Sequence, residues 1–112
     1  MTSDWRHRVL QERDRWHLTQ EVPHGGSIFY RLTSSRPVWL EVLDDPNYQC
    51  KVRGEPYKTF GGGDCLVSCP ICHINLPNRF EGSVIHYTIT SLNEETTSVE
   101  FQSGHMVNDL AR

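Results

Sequence analysis

Three cysteines and a histidine fall within nine residues in the stretch GGGDCLVSCPICHINLP, positions 61–77: Cys65, Cys69, Cys72 and His73. Cys50 is the only other cysteine. Cys69-Pro-Ile-Cys72 is a CxxC pair. Two residues between thiolates let one tight turn aim both sulfurs at a single ion about 2.3 Å away. The glycines and Asp64 ahead of it suit a loop that bends around such an ion. The spacing therefore predicts a zinc knuckle inside a cysteine-rich loop over 61–80. A redox pair of the thioredoxin kind would open a helix within a βαβ unit, and the flanking sequence does not read as one.

A structural zinc site closes with four ligands. The expected set is Cys65, Cys69, Cys72 and His86, with Cys50 or His105 as substitutes for the distal position. His73 adjoins Cys72, and neighbouring residues rarely bind one ion without strain. Three catalytic readings of the same residues compete with a structural ion. The cysteine spacing matches a radical-type iron–sulfur loop, but the large barrel that carries such loops needs far more than 112 residues. A zinc nucleobase deaminase needs His-x-Glu ahead of its Pro-Cys-x-x-Cys, and no histidine here has Glu two places on. A His-Asn-His nuclease would have to draw on His86, His105 and Asn108 at irregular spacing. No nucleophile elbow, Walker loop or HExxH is present. The expectation is a protein without enzymatic activity.

The elements around the cysteines read as α+β. Residues 3–20, inside an N-terminal segment 1–22, predict a helix: Ser3 is its N-cap, Asp4 its first turn, and Trp5, Val9 and Trp16 share one stripe at 100° per residue. Residues 27–54 predict the first strands, with 27–33 alternating and 37–54 forming a hairpin through the turn residues of DDPN. Residues 83–90 and 96–103 predict a C-terminal hairpin, with Ile85, Tyr87 and Ile89 on one face and Thr97, Val99 and Phe101 inward. Residues 104–112 are a tail. The sum is a single domain, 1–112: one N-terminal helix packed on a mostly antiparallel sheet of about five strands, with the zinc knuckle as a loop.

Arg6, Arg8, Arg13 and Arg15 flank the apolar stripe of the expected helix. They offer a phosphate-binding patch for RNA, with Trp5 or Trp16 to stack bases. The alternative is a solvated face whose tryptophans dock on the sheet. The net charge of −3 speaks against a basic domain that grips nucleic acid as a whole. The charged opening MTSDWRHRVLQERDRW lacks the apolar core of a secretory signal. No apolar run approaches the roughly 20 residues of a membrane span. These features predict a cytoplasmic, reducing setting, where clustered cysteines favour metal over disulfides.

The motif SCPICH at 68–73, set in a β-rich chain of this size, resembles the small proteins from the first open reading frame of sobemoviruses, which are positive-strand plant RNA viruses. The resemblance covers residues 37–102. It implies a zinc-binding accessory protein that suppresses host RNA silencing and supports virus spread in the host cytoplasm. Its partners would be a host protein or RNA, or a second copy in a homodimer. One member of that group uses paired CxxC elements, whereas this chain has one, so only Cys69 and Cys72 carry over as metal ligands.

Overall fold

The computed structural model describes residues 6–22, 26–59, 61–76 and 83–107; within these, side chains are described except at 26, 61–76, 83 and 105–107. The N-terminal segment is strand, not helix. β1 (Arg6–Leu10) and β2 (Arg15–Val22) are separated by a tight turn. Arg13 takes a positive φ of 63° there, and Asp14 Oδ2 accepts the Gln11 N–H at 2.8 Å. Strand geometry prevails because Trp16, Leu18 and Val22 are buried while Arg15, His17, Thr19 and Glu21 are exposed. That is period two, the signature of a half-buried strand. The helical stripe drawn through Trp5, Val9 and Trp16 does not exist: Val9 is exposed, and Trp5, like the expected cap at Ser3 and Asp4, lies outside the described residues.

β3 (Gly26–Asp44) is the spine. The two strands expected at 27–33 and 37–43 are one, with an irregularity in register between Thr33 and Val38. The return strand expected at 48–54 is a helix, α1 (Asp45–Val52). DDPN is a helix start rather than a hairpin turn. Asp44 is the N-cap, its carboxylate accepts the Asn47 N–H at 2.9 Å, and Pro46 sits in the first turn, where its missing N–H costs nothing. The helix stops in a Schellman motif. Gly54 N–H donates to Lys51 C=O and Glu55 N–H to Cys50 C=O, with Gly54 at φ 74°.

The cysteine-rich stretch is also strand: β4 (Gly61–Leu76) pairs antiparallel with β3 along most of its length. β5 (Ser83–Ser91) and β6 (Thr97–Val107) fall where strands were expected, but they are not a hairpin. β5 pairs with residues 38–44 of β3 and β6 with residues 26–34, both antiparallel to it. They therefore run in the same direction, end to end, along the edge of β3 opposite β4. β2 and β1 repeat the arrangement one layer out, pairing with β5 and β6 respectively. The strand order is β1-β6-β3-β5-β2, with β4 on β3.

The result is a mostly antiparallel sheet curled into a half-barrel, with one short helix, in place of a helix-on-sheet domain. Its inner face holds a continuous core that includes Leu10, Trp16, Leu18, Tyr30, Leu40, Tyr87, Ile89 and Phe101. Tyr87 lies between Tyr30 and Phe101, with ring centroids 5.8 and 5.0 Å away. On the outer face, Glu41, Leu43, His86 and Thr88 are buried as well, next to α1 and the segment that follows it. α1 itself buries no residue. Hydrophobic burial thus does little to hold this helix, and its attachment must come from polar and aromatic contacts.

Candidate functional site

Those contacts form the densest chemistry among the described residues. β2 and β5 pair so that Thr19 faces His86 and His17 faces Thr88. His17 and His86 are diagonal neighbours on the outer face, within mutual reach. His17 Nε2 lies 2.8 Å from His86 Nδ1, and His86 Nε2 lies 2.8 Å from Asp45 Oδ1. The imidazole planes differ by 9° and their centroids are 5.0 Å apart. Those values together describe two rings in one plane meeting edge to edge; a face-to-face stack would bring the centroids nearer. Tyr48 covers the pair, with its ring nearly parallel to both at 4.3 Å from His17 and 4.1 Å from His86. Its hydroxyl stands 3.2 Å from His17 Nδ1. Because the rings are stacked, that oxygen lies off the imidazole plane and is a close neighbour rather than an aligned hydrogen-bond partner.

The carboxylate fixes the protons. Asp45 only accepts, so His86 Nε2 carries the hydrogen and neutral His86 Nδ1 is an acceptor. His17 Nε2 must then donate, which leaves His17 Nδ1 as a bare lone pair on an exposed residue. Partial burial of the ring, which Tyr48 covers on one face, lowers the proton affinity of His17 below the ordinary value for histidine, and the charges of His86 and Arg15 lower it further.

An ion between the two rings does not fit this geometry. Zn–N bonds of about 2.0–2.1 Å at a tetrahedral angle would hold the nitrogens roughly 3.3 Å apart with the rings tilted. The observed in-line contact at 2.8 Å is that of an N–H···N hydrogen bond. Among the described residues no group of three or more His, Cys, Asp or Glu side chains is arranged to hold a metal.

A second polar cluster fastens the other end of α1. Lys51 Nζ donates to Glu41 Oε1 at 2.5 Å and to Tyr57 Oη at 3.0 Å, and Tyr57 donates to Glu41 Oε2 at 3.0 Å. Glu41 is 5% exposed. Burial alone would raise its pKa, yet hydrogen bonds from Lys51, Tyr57 and Trp39, with the Lys51 charge, leave it below the usual carboxylate range. Burial likewise opposes the charge on Lys51, and Glu41 and Tyr57 outweigh it, so its pKa is raised.

The residues expected to bind zinc are divided by this fold. His86 stands on the β5 side of β3, opposite Leu43, and both of its ring nitrogens are engaged. The cysteines of β4 stand on the other edge: Cys65 opposite Trp39, Cys69 opposite Leu32 and Cys72 opposite Tyr30. Their side chains lie outside those described. At roughly 3.3 Å per residue, four residues of strand separate Cys65 from Cys69 by about 13 Å, too far for one ion while β4 stays extended. Cys69 and Cys72 differ. The register slips between Tyr30 and Leu32, so three steps on β4 span two on β3 and the Cα separation contracts to about 7 Å. His105 registers opposite Ile28 on β6, at the same end of β3 as the CxxC pair. Cys50 is on α1, where its Sγ neighbours Arg53 Nη2 at 3.9 Å.

The four arginines also separate. Arg6 and Arg8 pair with Phe101 and Val99, which are core residues, and Arg15 pairs with Thr90 on the opposite face of the sheet. Arg13 is in the turn between β1 and β2. All four are exposed, but the helix that was to gather them is absent. Trp16, offered as a stacking platform, is 7% exposed within the core.

Sequence reading missed His17, Asp45 and Tyr48. The signal was present: once 15–22 and 83–91 are strands, both histidines fall at outward positions, and an Asp-Asp-Pro helix start puts Asp45 and Tyr48 beside them.

Fold and site together define a small antiparallel β half-barrel with a three-membered Asp–His–His row under a tyrosine lid. No protein-family model matches the chain, and no curated protein matches it in a sequence search. No helix among the described residues is long and apolar enough to cross a membrane.

Proposed function

We propose that the chain is a non-enzymatic interaction protein that captures a protein partner along the edge of β4, with Zn2+ held at that edge by Cys69 and Cys72. The observation that carries this reading is the sheet order: among the described residues β4 pairs with β3 alone. A 16-residue strand with one free edge is a template for strand addition, in which main-chain hydrogen bonds supply affinity and alternate side chains supply specificity. The bulge at the CxxC pair supports the metal assignment, because it draws those two positions together where a straight strand would hold them apart. His105, at the same end of β3, is the distal ligand in this reading, and His86 has no part in it.

Elemental analysis of protein purified without oxygen or chelators tests the metal. One zinc per chain is expected, absent from the Cys69→Ser/Cys72→Ser variant; a wild-type chain free of metal contradicts it. Val67→Pro tests the edge. Val67 falls in the irregular part of the register, between the Leu66–Val38 and Ser68–Thr33 pairs, so proline there removes a β4 N–H where the ladder to β3 is already interrupted.

The biological setting attached to this reading is a viral accessory protein that counters host RNA silencing in the cytoplasm and supports virus spread. It rests on the likeness of residues 37–102. In a plant-leaf silencing assay, wild type restores reporter expression and Val67→Pro does not. A wild-type protein without effect removes the viral setting and leaves the edge and metal tests standing.

A further inference from the structure

The Asp45–His86–His17 row ends on a lone pair that strand capture does not use. We propose that His17 is a phosphoryl-acceptor site: Nδ1 of His17 takes a phosphoryl group from a small acyl phosphate.

Three features of the geometry converge on that atom. First, the hydrogen-bond row leaves Nδ1 unprotonated on an exposed residue. Second, the charge that develops on the ring when Nδ1 forms a bond is shared along the row. The proton on His17 Nε2 moves toward His86 Nδ1, and the His86 Nε2 proton moves toward Asp45, as an orienting carboxylate stabilises an imidazolium. Third, the surroundings suit an oxyanion. Arg15 is two residues along the same outward face of β2, and the Tyr48 hydroxyl, 3.2 Å from Nδ1 and off the ring plane, is a donor for a phosphoryl oxygen rather than an obstruction in the line of attack. The lowered proton affinity of His17 keeps Nδ1 free at neutral pH.

The step balances without an external acid. The Nδ1 lone pair attacks phosphorus, the P–N bond forms, the P–O bond to the acyl group breaks, and the leaving group departs as a carboxylate. The charged and titratable groups around the acceptor are Arg15 on β2, His86 on β5, and Asp45 and Tyr48 on α1.

Acetyl phosphate is the probe, used with the full chain and read by intact mass and peptide mapping. One acid-labile, base-stable phosphoryl group on His17 is expected, absent in His17→Asn. His7, also exposed on a strand and bonded among the described residues to Ser98 Oγ, is the internal control and stays unlabelled. Asp45→Asn, at a half-exposed side chain, slows labelling by about a hundredfold, the low end of what a positioned acid–base partner contributes. His86→Gln does the same. Asp45→Asn also moves the pH midpoint of labelling downward, because the carboxylate favours the protonated row; a purely structural role for Asp45 leaves that midpoint in place. Equal labelling of His7 and His17, or wild-type rates in folded Asp45→Asn, overturns the proposal.

Discussion

His17 Nε2 and His86 Nδ1 meet at 2.8 Å in a common plane, roofed by Tyr48 and backed by Asp45. Two of the four residues come from the sheet and two from α1. The same contacts that prepare a bare imidazole nitrogen also dock a helix that buries nothing of its own.

The docking is therefore acid-sensitive. His17 has a folded-state pKa below its ordinary 6.5, so between those values the unfolded chain binds more protons than the folded one. Stability from this group is complete above pH 6.5 and is lost as pH falls through the lowered value. Urea midpoints at pH 7.5 and 5.5 should show the loss, and His17→Gln should flatten it. A wild-type midpoint that does not move over this range contradicts the protonation scheme.

Glu41 and Lys51 are a buried, hydrogen-bonded pair with side-chain exposures of 7% and 11%. Removing one partner strands the other. Lys51→Met should cost about 3–5 kcal/mol in urea unfolding, with Glu41 then taking up a proton at higher pH. Replacing both residues, Glu41→Leu with Lys51→Met, should recover much of that loss.

Gly54 isolates a backbone effect. Its φ is 74°, and a Cβ built there meets nothing within 4 Å. Gly54→Ala should therefore destabilise by about 1–2 kcal/mol through left-handed strain alone. Gly54→Asn should be milder, since Asn tolerates that region. Equal stability of Gly54→Ala and wild type contradicts the Schellman stop.

Phe101 is packed against Tyr87 at the centre of the half-barrel, at 1% exposure. Phe101→Ala should cost about 3–5 kcal/mol. Leu92, in the segment between β5 and β6 and 51% exposed, should tolerate alanine within about 0.5 kcal/mol.

The strands at 27–33, 37–43, 83–90 and 96–103 were legible because their alternation or β-branched content is local. Their connection was not. β5 and β6 look like a hairpin, since a short polar turn joins them, but β3 is long enough to pair with both in succession and wins by the greater ladder. The N-terminal strands were hidden by the charge-dense QERDR, where the tight turn falls; a three-apolar stripe at 100° outweighed the cleaner alternation of Trp16, Leu18 and Val22. In DDPN the turn and helix-cap readings use the same residues, and Gly54 nine residues after Asp45 was the signal that decided for a helix. The cysteine cluster is visible in the sequence because its spacing is local. The His17–His86–Asp45 row depends on strand register and could be found only after β2 and β5 were paired.

The most direct test of the imidazole row is nitrogen NMR on uniformly 15N-labelled protein near pH 7.5. Both histidines should be Nε2–H tautomers, with a through-hydrogen-bond nitrogen–nitrogen coupling between His17 Nε2 and His86 Nδ1 that vanishes on acidification and in His86→Gln. A His17 ring protonated at Nδ1, or no coupling between the two rings in folded protein, contradicts the row and the free nitrogen at its end.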